Sequence, residues 1–295
     1  MENILDRIKA GEVLVSDGAM GTMLFQKGLQ VGECPEKVNL EKSDILEEIA
    51  QSYYRAGADI IHTNTFGGSP LKLAMYNLDN RTEEINIRAI RAARHAVGEN
   101  AYLSLSCGPS GKILKPYGDT EPEEMYESFR RQIKAAVSES VDMITVETMT
   151  DLTEARLAIK AVRSVSDSIP LAATMTFDAT PDGYFTIMGV SVQQAAGELA
   201  EEGADLVGSN CGNGIKNMIE IASEFKKSSH LPIIIQSNAG LPEMKGDIPV
   251  YSETPEYMAG ECRKLLDLGV NIIGGCCGTT PAHISAIKKV VEAYQ

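Results

Sequence analysis

The sequence predicts a closed (β/α)8 barrel forming a single domain over residues 1–295, and three observations carry that prediction. Eight short β-rich runs alternate with helical stretches along the chain. Most of the runs are continuously apolar rather than alternating, as expected of parallel strands covered on both faces. Their entries also repeat. Gly57-Ala58-Asp59-Ile60-Ile61, Gly203-Ala204-Asp205-Leu206-Val207 and Gly269-Val270-Asn271-Ile272-Ile273 share one pattern, and Ser140-Val141-Asp142-Met143-Ile144 is the same without its glycine. The glycine is the expected left-handed residue that stops a helix just before the next strand. Eight parallel units in a chain of this length favour closure, with a doubly wound open sheet as the alternative.

The predicted strands are residues 13–17, 59–64, 102–106, 142–147, 171–176, 206–210, 233–238 and 272–275. The first runs into Asp17-Gly18-Ala19-Met20-Gly21-Thr22, where two glycines free the local backbone so that its N–H groups can face the barrel mouth and bind a carboxylate there. Asp17 can accept hydrogen bonds from an ammonium there, or can simply cap a helix after a tight turn. The second carries His62, read as a satisfied core imidazole, and ends in Asn64-Thr65-Phe66-Gly67-Gly68. Glu147 ends the fourth, across the barrel from the first. A buried glutamate is costly unless it meets a cation, so Asp17 and Glu147 together suit the ammonium of an amino acid. The alternative is that Glu147 caps the helix beginning near Asp151.

Between the strands the helices are amphipathic, with Ile87, Ile90 and Val97 on one face of the segment from Thr82, and Leu157, Ile159 and Val162 on another. Three loops after strands, 107–119, 177–189 and 238–251, are long and rich in Gly and Pro. They read as walls and lids of a substrate site on one face of the barrel.

The sixth strand ends in Asn210-Cys211 and the eighth runs into Gly274-Gly275-Cys276-Cys277-Gly278-Thr279-Thr280-Pro281. Adjacent cysteines rarely form a disulfide with each other, but both can turn toward one metal when glycines let the backbone bend. Three thiolates from two strand ends would hold zinc and leave its fourth position open, the pattern of a catalytic site. Asn238, at the end of the seventh strand, can complete that shell while substrate is absent, or can make ordinary loop hydrogen bonds. Cys107, Cys34 and Cys262 read as packing residues. A zinc bound by three negative ligands is a poor Lewis acid toward a carbonyl. It is better suited to binding a thiol and keeping the sulfur ionised, since a free thiol with a pKa of about 8.5 is only a few per cent thiolate at neutral pH.

The chain carries 27 basic and 41 acidic residues, for a formal charge of -14. That balance and the lack of a basic block argue against nucleic acid and anionic membrane surfaces as partners. No run approaches the ~20 apolar residues needed to span a bilayer, and the N-terminus does not read as a signal peptide. A cytoplasmic setting with reduced cysteines is the expectation.

The segments 17–22, 64–67, 146–148, 210–211 and 274–281 resemble, in order, the homocysteine S-methyltransferase family. The resemblance runs from Asp17 to His283. It implies a zinc (β/α)8 barrel that methylates homocysteine to methionine, with Cys211, Cys276 and Cys277 as zinc ligands. It further implies that Asp17 and Glu147 anchor the homocysteine amino group, and that Gly18 and Ala19 offer N–H groups to its carboxylate. Cys107-Gly108-Pro109-Ser110-Gly111 and Ser237-Asn238-Ala239-Gly240-Leu241-Pro242 look most like the homocysteine-binding module of cobalamin-dependent enzymes of this family. Betaine-using members resemble it less, because their donor pocket relies partly on tryptophan and this chain has none. The implied donor is methylcobalamin on a corrinoid protein in a separate chain. The alternatives are a small donor such as S-methylmethionine or betaine, or a thiol- and zinc-binding subunit without catalysis of its own.

Overall fold

The computed structural model describes residues 1–245 and 248–294. Strands β1 (Leu14–Val15), β2 (Ile60–His62), β3 (Tyr102–Cys107), β4 (Met143–Met149), β5 (Leu171–Met175), β6 (Leu206–Asn210), β7 (Ile233–Ser237) and β8 (Ile272–Gly275) form one sheet. Their order is β1-β8-β7-β6-β5-β4-β3-β2, all parallel. A parallel bridge from Ser16 to Ile60 joins the two edges. Around it, Asp59 N–H donates to Val15 O at 2.7 Å and Asp17 N–H to Ile60 O at 3.0 Å. The sheet is therefore a barrel, and the open doubly wound alternative fails.

Helices α1 (Ser43–Arg55), α2 (Thr82–Val97), α3 (Pro122–Ser138), α4 (Leu152–Val165), α5 (Val192–Glu202), α6 (Ile215–Ser228), α7 (Pro255–Asp267) and α8 (Pro281–Tyr294) follow the strands in turn. In α2 the buried stripe is Ile85, Ile90 and Val97, and Ile87 lies at its half-buried edge. In α4 Ile159 and Val162 are buried, while Leu157 packs half-buried against the same core.

Side chains alternate between the barrel interior and the helix layer along each strand. The lowest interior layer takes one residue from each: Leu14, Ile60, Tyr102, Met143, Ala172, Leu206, Ile234 and Ile272. A helix before β1 (Ile4–Lys9) plugs this end with Ile4 and Ile8. Two residues further along each strand the interior turns polar or bare, with Ser16, His62, Ser104, Thr145, Thr174, Gly208, Gln236 and Gly274. The strands are thus graded on their inner face, apolar at the N-terminal end and polar toward the C-terminal end. Continuous hydrophobicity belongs to their outer faces, where Val15, Ile61, Leu105, Val146, Val207 and Ile273 meet the helices.

The repeated strand entries have a local cause. Gly57, Gly203 and Gly269 take φ of +98°, +112° and +75°, and Ser140, where the pattern lacks its glycine, takes +57° all the same. Two positions on, each acid or amide reaches sideways to the preceding strand. Asp59 accepts from Val15 N–H at 2.9 Å, Asp142 from Leu103 at 2.8 Å, Asp205 from Leu171 at 2.9 Å and Asn271 from Ile233 at 2.9 Å. Lys288, Arg94 and Arg163 neutralise the three aspartates. Each contact satisfies an amide at the base of the barrel and fixes strand register.

Two of the three long loops carry antiparallel hairpins, Asp178–Thr180 with Gly183–Phe185 and Glu243–Lys245 with Ile248–Val250. Positions 246 and 247 of the predicted 238–251 loop, and 295 of the predicted domain, lie outside the described residues. No helix among the described residues is long and apolar enough to cross a membrane.

Candidate metal centre

The graded interior ends in the side chains that follow the polar layer. At the mouth of the barrel the Sγ atoms of Cys211, Cys276 and Cys277 all lie within 4.8 Å of one another. All three thiols are free. Backbone contacts bring them together: Cys211 N–H donates to Gln236 O at 3.1 Å, and Cys276 N–H donates to Ser237 O at 2.8 Å. Gly274 lies against Ser16 so closely that a Cβ there would overlap its hydroxyl, which lets β8 approach β1 just before the pair. Cys211 holds a left-handed backbone, φ +62°, that an L residue takes only when its surroundings enforce it.

The donor set fits zinc. Two thiolates about 2.3 Å from zinc at a tetrahedral angle stand about 3.8 Å apart, and the Cys211 and Cys277 sulfurs are 3.8 Å apart. Crowding also shares charge unequally among the trio. The Cys277 thiol is held down to about 3 by hydrogen bonds from Cys211 and Cys276, and the Cys276 thiol is pushed well up by its hydrogen bonds with Cys211 and Cys277. A cation placed among them would favour all three in the thiolate form.

Asn238 is buried, and its Oδ1 has no hydrogen-bond partner among the described residues. It sits between Ser237, whose carbonyl receives Cys276 N–H, and Ala239, whose N–H donates to Cys277 O at 2.9 Å. A buried oxygen without a partner, on a residue whose chain neighbours bond the backbone of Cys276 and Cys277, is the kind of donor a fourth ligand position calls for. From the predicted 238–251 loop, the Tyr251 ring lies against Gly278, the residue after Cys277.

Glu147 is half-buried, and its carboxyl is pushed above the usual carboxylate range by burial, against the opposing influence of His62 and a hydrogen bond from Ser106. Ser106 Oγ donates to Glu147 Oε1, and Asn210 Nδ2 donates to Glu147 Oε2 at 3.1 Å. Glu147 does not cap α4. Asp151 does, accepting Thr153 N–H at 2.7 Å. Asp17 is 3% exposed and caps no helix either. Its Oδ1 meets His62 Nδ1 at 2.7 Å and its Oδ2 accepts His62 N–H at 2.8 Å. Burial acts to lower the His62 imidazole pKa, but the Asp17 and Glu147 carboxylates outweigh it and leave it raised.

Other predicted residues are placed differently. Ala19 N–H donates to Thr279 Oγ1 at 3.2 Å, so this amide already has an acceptor beside the cysteine pair. Gly18 N–H has no acceptor among the described residues. Asn64 donates both amide hydrogens to the 35–39 segment, to Pro35 O at 2.8 Å and Asn39 Oδ1 at 2.7 Å, so its contribution is to hold a loop. Cys107 packs toward α3, 3.5 Å from Gln132 Oε1, and Cys34 lies 3.3 Å from Glu36.

The residue whose weight sequence reasoning missed is Asn210. It is fully buried, and its Oδ1 accepts from Thr148 N–H and from Thr174 Oγ1, both at 2.7 Å. Its Nδ2 reaches Thr148 Oγ1 at 2.7 Å and lies 3.9 Å from Cys276 Sγ. It thereby links Glu147, the strained Thr148 (φ +60°) and the cysteines. Its place immediately before Cys211 was the one available signal.

Comparison with known proteins follows the same outline. The model of the homocysteine S-methyltransferase family matches residues 14–291. The methionine synthase of Mycobacterium tuberculosis (strain ATCC 25618 / H37Rv) is 29% identical over 306 residues, covering 98% of this chain and 25% of its own length. That of Mycobacterium leprae (strain TN) is 29% identical over 299 residues, covering 96% and 24%. The chain thus spans about a quarter of the length of these curated relatives. Among solved structures, the homocysteine methyltransferase MmuM from Escherichia coli, in its metallated form, superposes with a TM-score of 0.76 at 23% identity. The match covers 97% of this chain and 99% of that one, and at that identity it speaks for the fold.

Proposed function

The chain belongs to the homocysteine S-methyltransferase family, and from that premise we propose that it is a zinc-dependent enzyme transferring a methyl group to the thiol of homocysteine to give methionine. The observation that carries this reading is the convergence of three sulfurs from two strand ends with the spacing of a tetrahedral thiolate shell. Cys211, Cys276 and Cys277 would hold the zinc, with Asn238 Oδ1 its ligand while substrate is absent. When bound, zinc supplies the positive charge that keeps the substrate thiol ionised at neutral pH.

The rest is done by side chains and backbone. Asp17 and Glu147, on opposite sides of the mouth, receive the ammonium, and Gly18 N–H faces the carboxylate. Asn64 acts by holding the loop behind β2. The substrate sulfur then forms its bond to the methyl carbon as the donor's bond to that carbon breaks, so the protein's part is alignment.

The methyl donor in this reading is methylcobalamin carried by a corrinoid protein. Large apolar side chains left exposed cluster in the loops that follow strand C-termini, among them Phe66, Ile113, Tyr117, Ile187, Met188 and Leu241. Exposed apolar surface around a mouth suits a macromolecular donor better than a small metabolite. A cytoplasmic setting accords with the need for reduced thiols. The test is methionine formation by zinc-loaded protein with homocysteine and, separately, a methylated corrinoid protein, S-methylmethionine and betaine. Methionine from the corrinoid protein is expected. Methionine from betaine without any corrinoid protein overturns the donor, and bound zinc with no methionine from any donor overturns the enzyme.

A further inference from the structure

We propose that His62 is the positioning residue of the amino-group pocket: it fixes the Asp17 carboxylate for the substrate ammonium and so sets discrimination for an amino-acid thiol over the same thiol acid lacking the amino group. This rests on the reading above that Asp17 and Glu147 receive that ammonium.

Asp17 is almost fully buried, and both side-chain hydrogen bonds it makes among the described residues come from one residue. His62 N–H takes one carboxylate oxygen at 2.8 Å and His62 Nδ1 takes the other at 2.7 Å. Two bonds to the two oxygens fix both torsions of a short side chain. Each oxygen keeps a further acceptor position. A carboxylate oriented in advance binds an ammonium without the ordering cost that a free one incurs.

His62 is itself pinned. It lies in the polar interior layer of β2, and its Nε2 stands 3.3 Å from Thr145 Oγ1, which is 2.7 Å from Ser104 Oγ. Nδ1 must carry a hydrogen to serve the carboxylate. Nε2 can then be bare and accept from the threonine hydroxyl, or protonated and donate to it, because both hydroxyls can rotate. The ring stays in place in either charge state. Thr145 lies two residues before Glu147 on the same face of β4. His62 therefore ties the carboxylate on the β1 side to the strand that carries the other one.

The experiment is calorimetric binding of homocysteine and of 4-mercaptobutyrate, its analogue without the amino group, to zinc-loaded wild type, His62→Ala and His62→Asn. Zinc content and melting temperature are measured for each. His62→Ala should weaken homocysteine about tenfold or more, the scale of a charge-assisted hydrogen bond. It should move 4-mercaptobutyrate less than about threefold, with zinc content unchanged. His62→Asn keeps an N–H donor at the Nδ1 position and should restore most of the discrimination. Wild-type discrimination retained in both variants, or lost equally in both, overturns the role of His62. Wild type that binds the two thiols alike overturns the amino-group reading itself, and the proposal with it.

Discussion

At the base of the barrel Asp59, Asp142 and Asp205 each hold a strand amide and each meet a Lys or Arg. At the mouth, Asp17 and Glu147 meet His62, Ser106 and Asn210, and among the described residues neither has a Lys or Arg partner. The two sets sit at opposite ends of the same strands. One is fully compensated by its own scaffold, and the other is left short of positive charge. Buried carboxylates in that condition weaken the fold and attract a cationic ligand. Backbone strain divides the same way: Ser140 is strained at the base without touching a functional group, whereas Thr148 and Cys211 are strained where Asn210 and the thiols meet.

The sharpest way to break this division is at the thiols. Cys276→Ala or Cys277→Ala should abolish stoichiometric zinc and lower methyl transfer by about a thousandfold or more, while the melting temperature moves little. Metal analysis alongside thermal unfolding checks it, and collapse of the fold on metal loss would place the centre in the scaffold instead. The mirror experiment is Asp205→Ala, which leaves Leu171 N–H and Arg163 without their shared acceptor. It should cost about 1–3 kcal/mol in urea unfolding, with zinc content and homocysteine affinity intact.

Glu147→Gln should do the reverse, raising the homocysteine dissociation constant about tenfold with zinc binding unchanged. Equal loss of both would move Glu147 out of the amino-group role. The same variant has a pH signature. Burial raises the Glu147 carboxyl above its ordinary range, so the folded state binds that proton more tightly than the unfolded chain does. Its contribution to stability is full below the ordinary carboxylate pKa and is lost as pH rises through the raised one. In metal-free protein, the melting temperature of Glu147→Gln should therefore gain on wild type from mildly acidic pH upward; a gap independent of pH would contradict this. The smallest effect is expected from Ser140→Gly, which relieves a left-handed non-glycine residue and should stabilise by about 0.5–1 kcal/mol with no change in zinc or substrate binding, read from urea midpoints.

Much of this was legible in the chain. The Gly-x-Asp entries, the apolar runs and the cysteine segments are local signals: a helix stop needs a left-handed residue, a buried strand needs apolar side chains, and paired thiols beside glycines announce a metal. These determined the barrel, its strand sequence and the three candidate ligands. The Asp of each entry was visible as a repeat, but its purpose was not, because its partner amide lies on another strand tens of residues away. The same holds for Ala19, whose amide is taken by Thr279, and for Asn64, which faces a loop rather than the mouth. Only the closed sheet decided that Asn210 should join Glu147 to Cys276 and that His62 should clamp Asp17. Hydrogen bonds between strands depend on register and on which face each residue presents, and those are fixed when the barrel closes, not by any window of sequence.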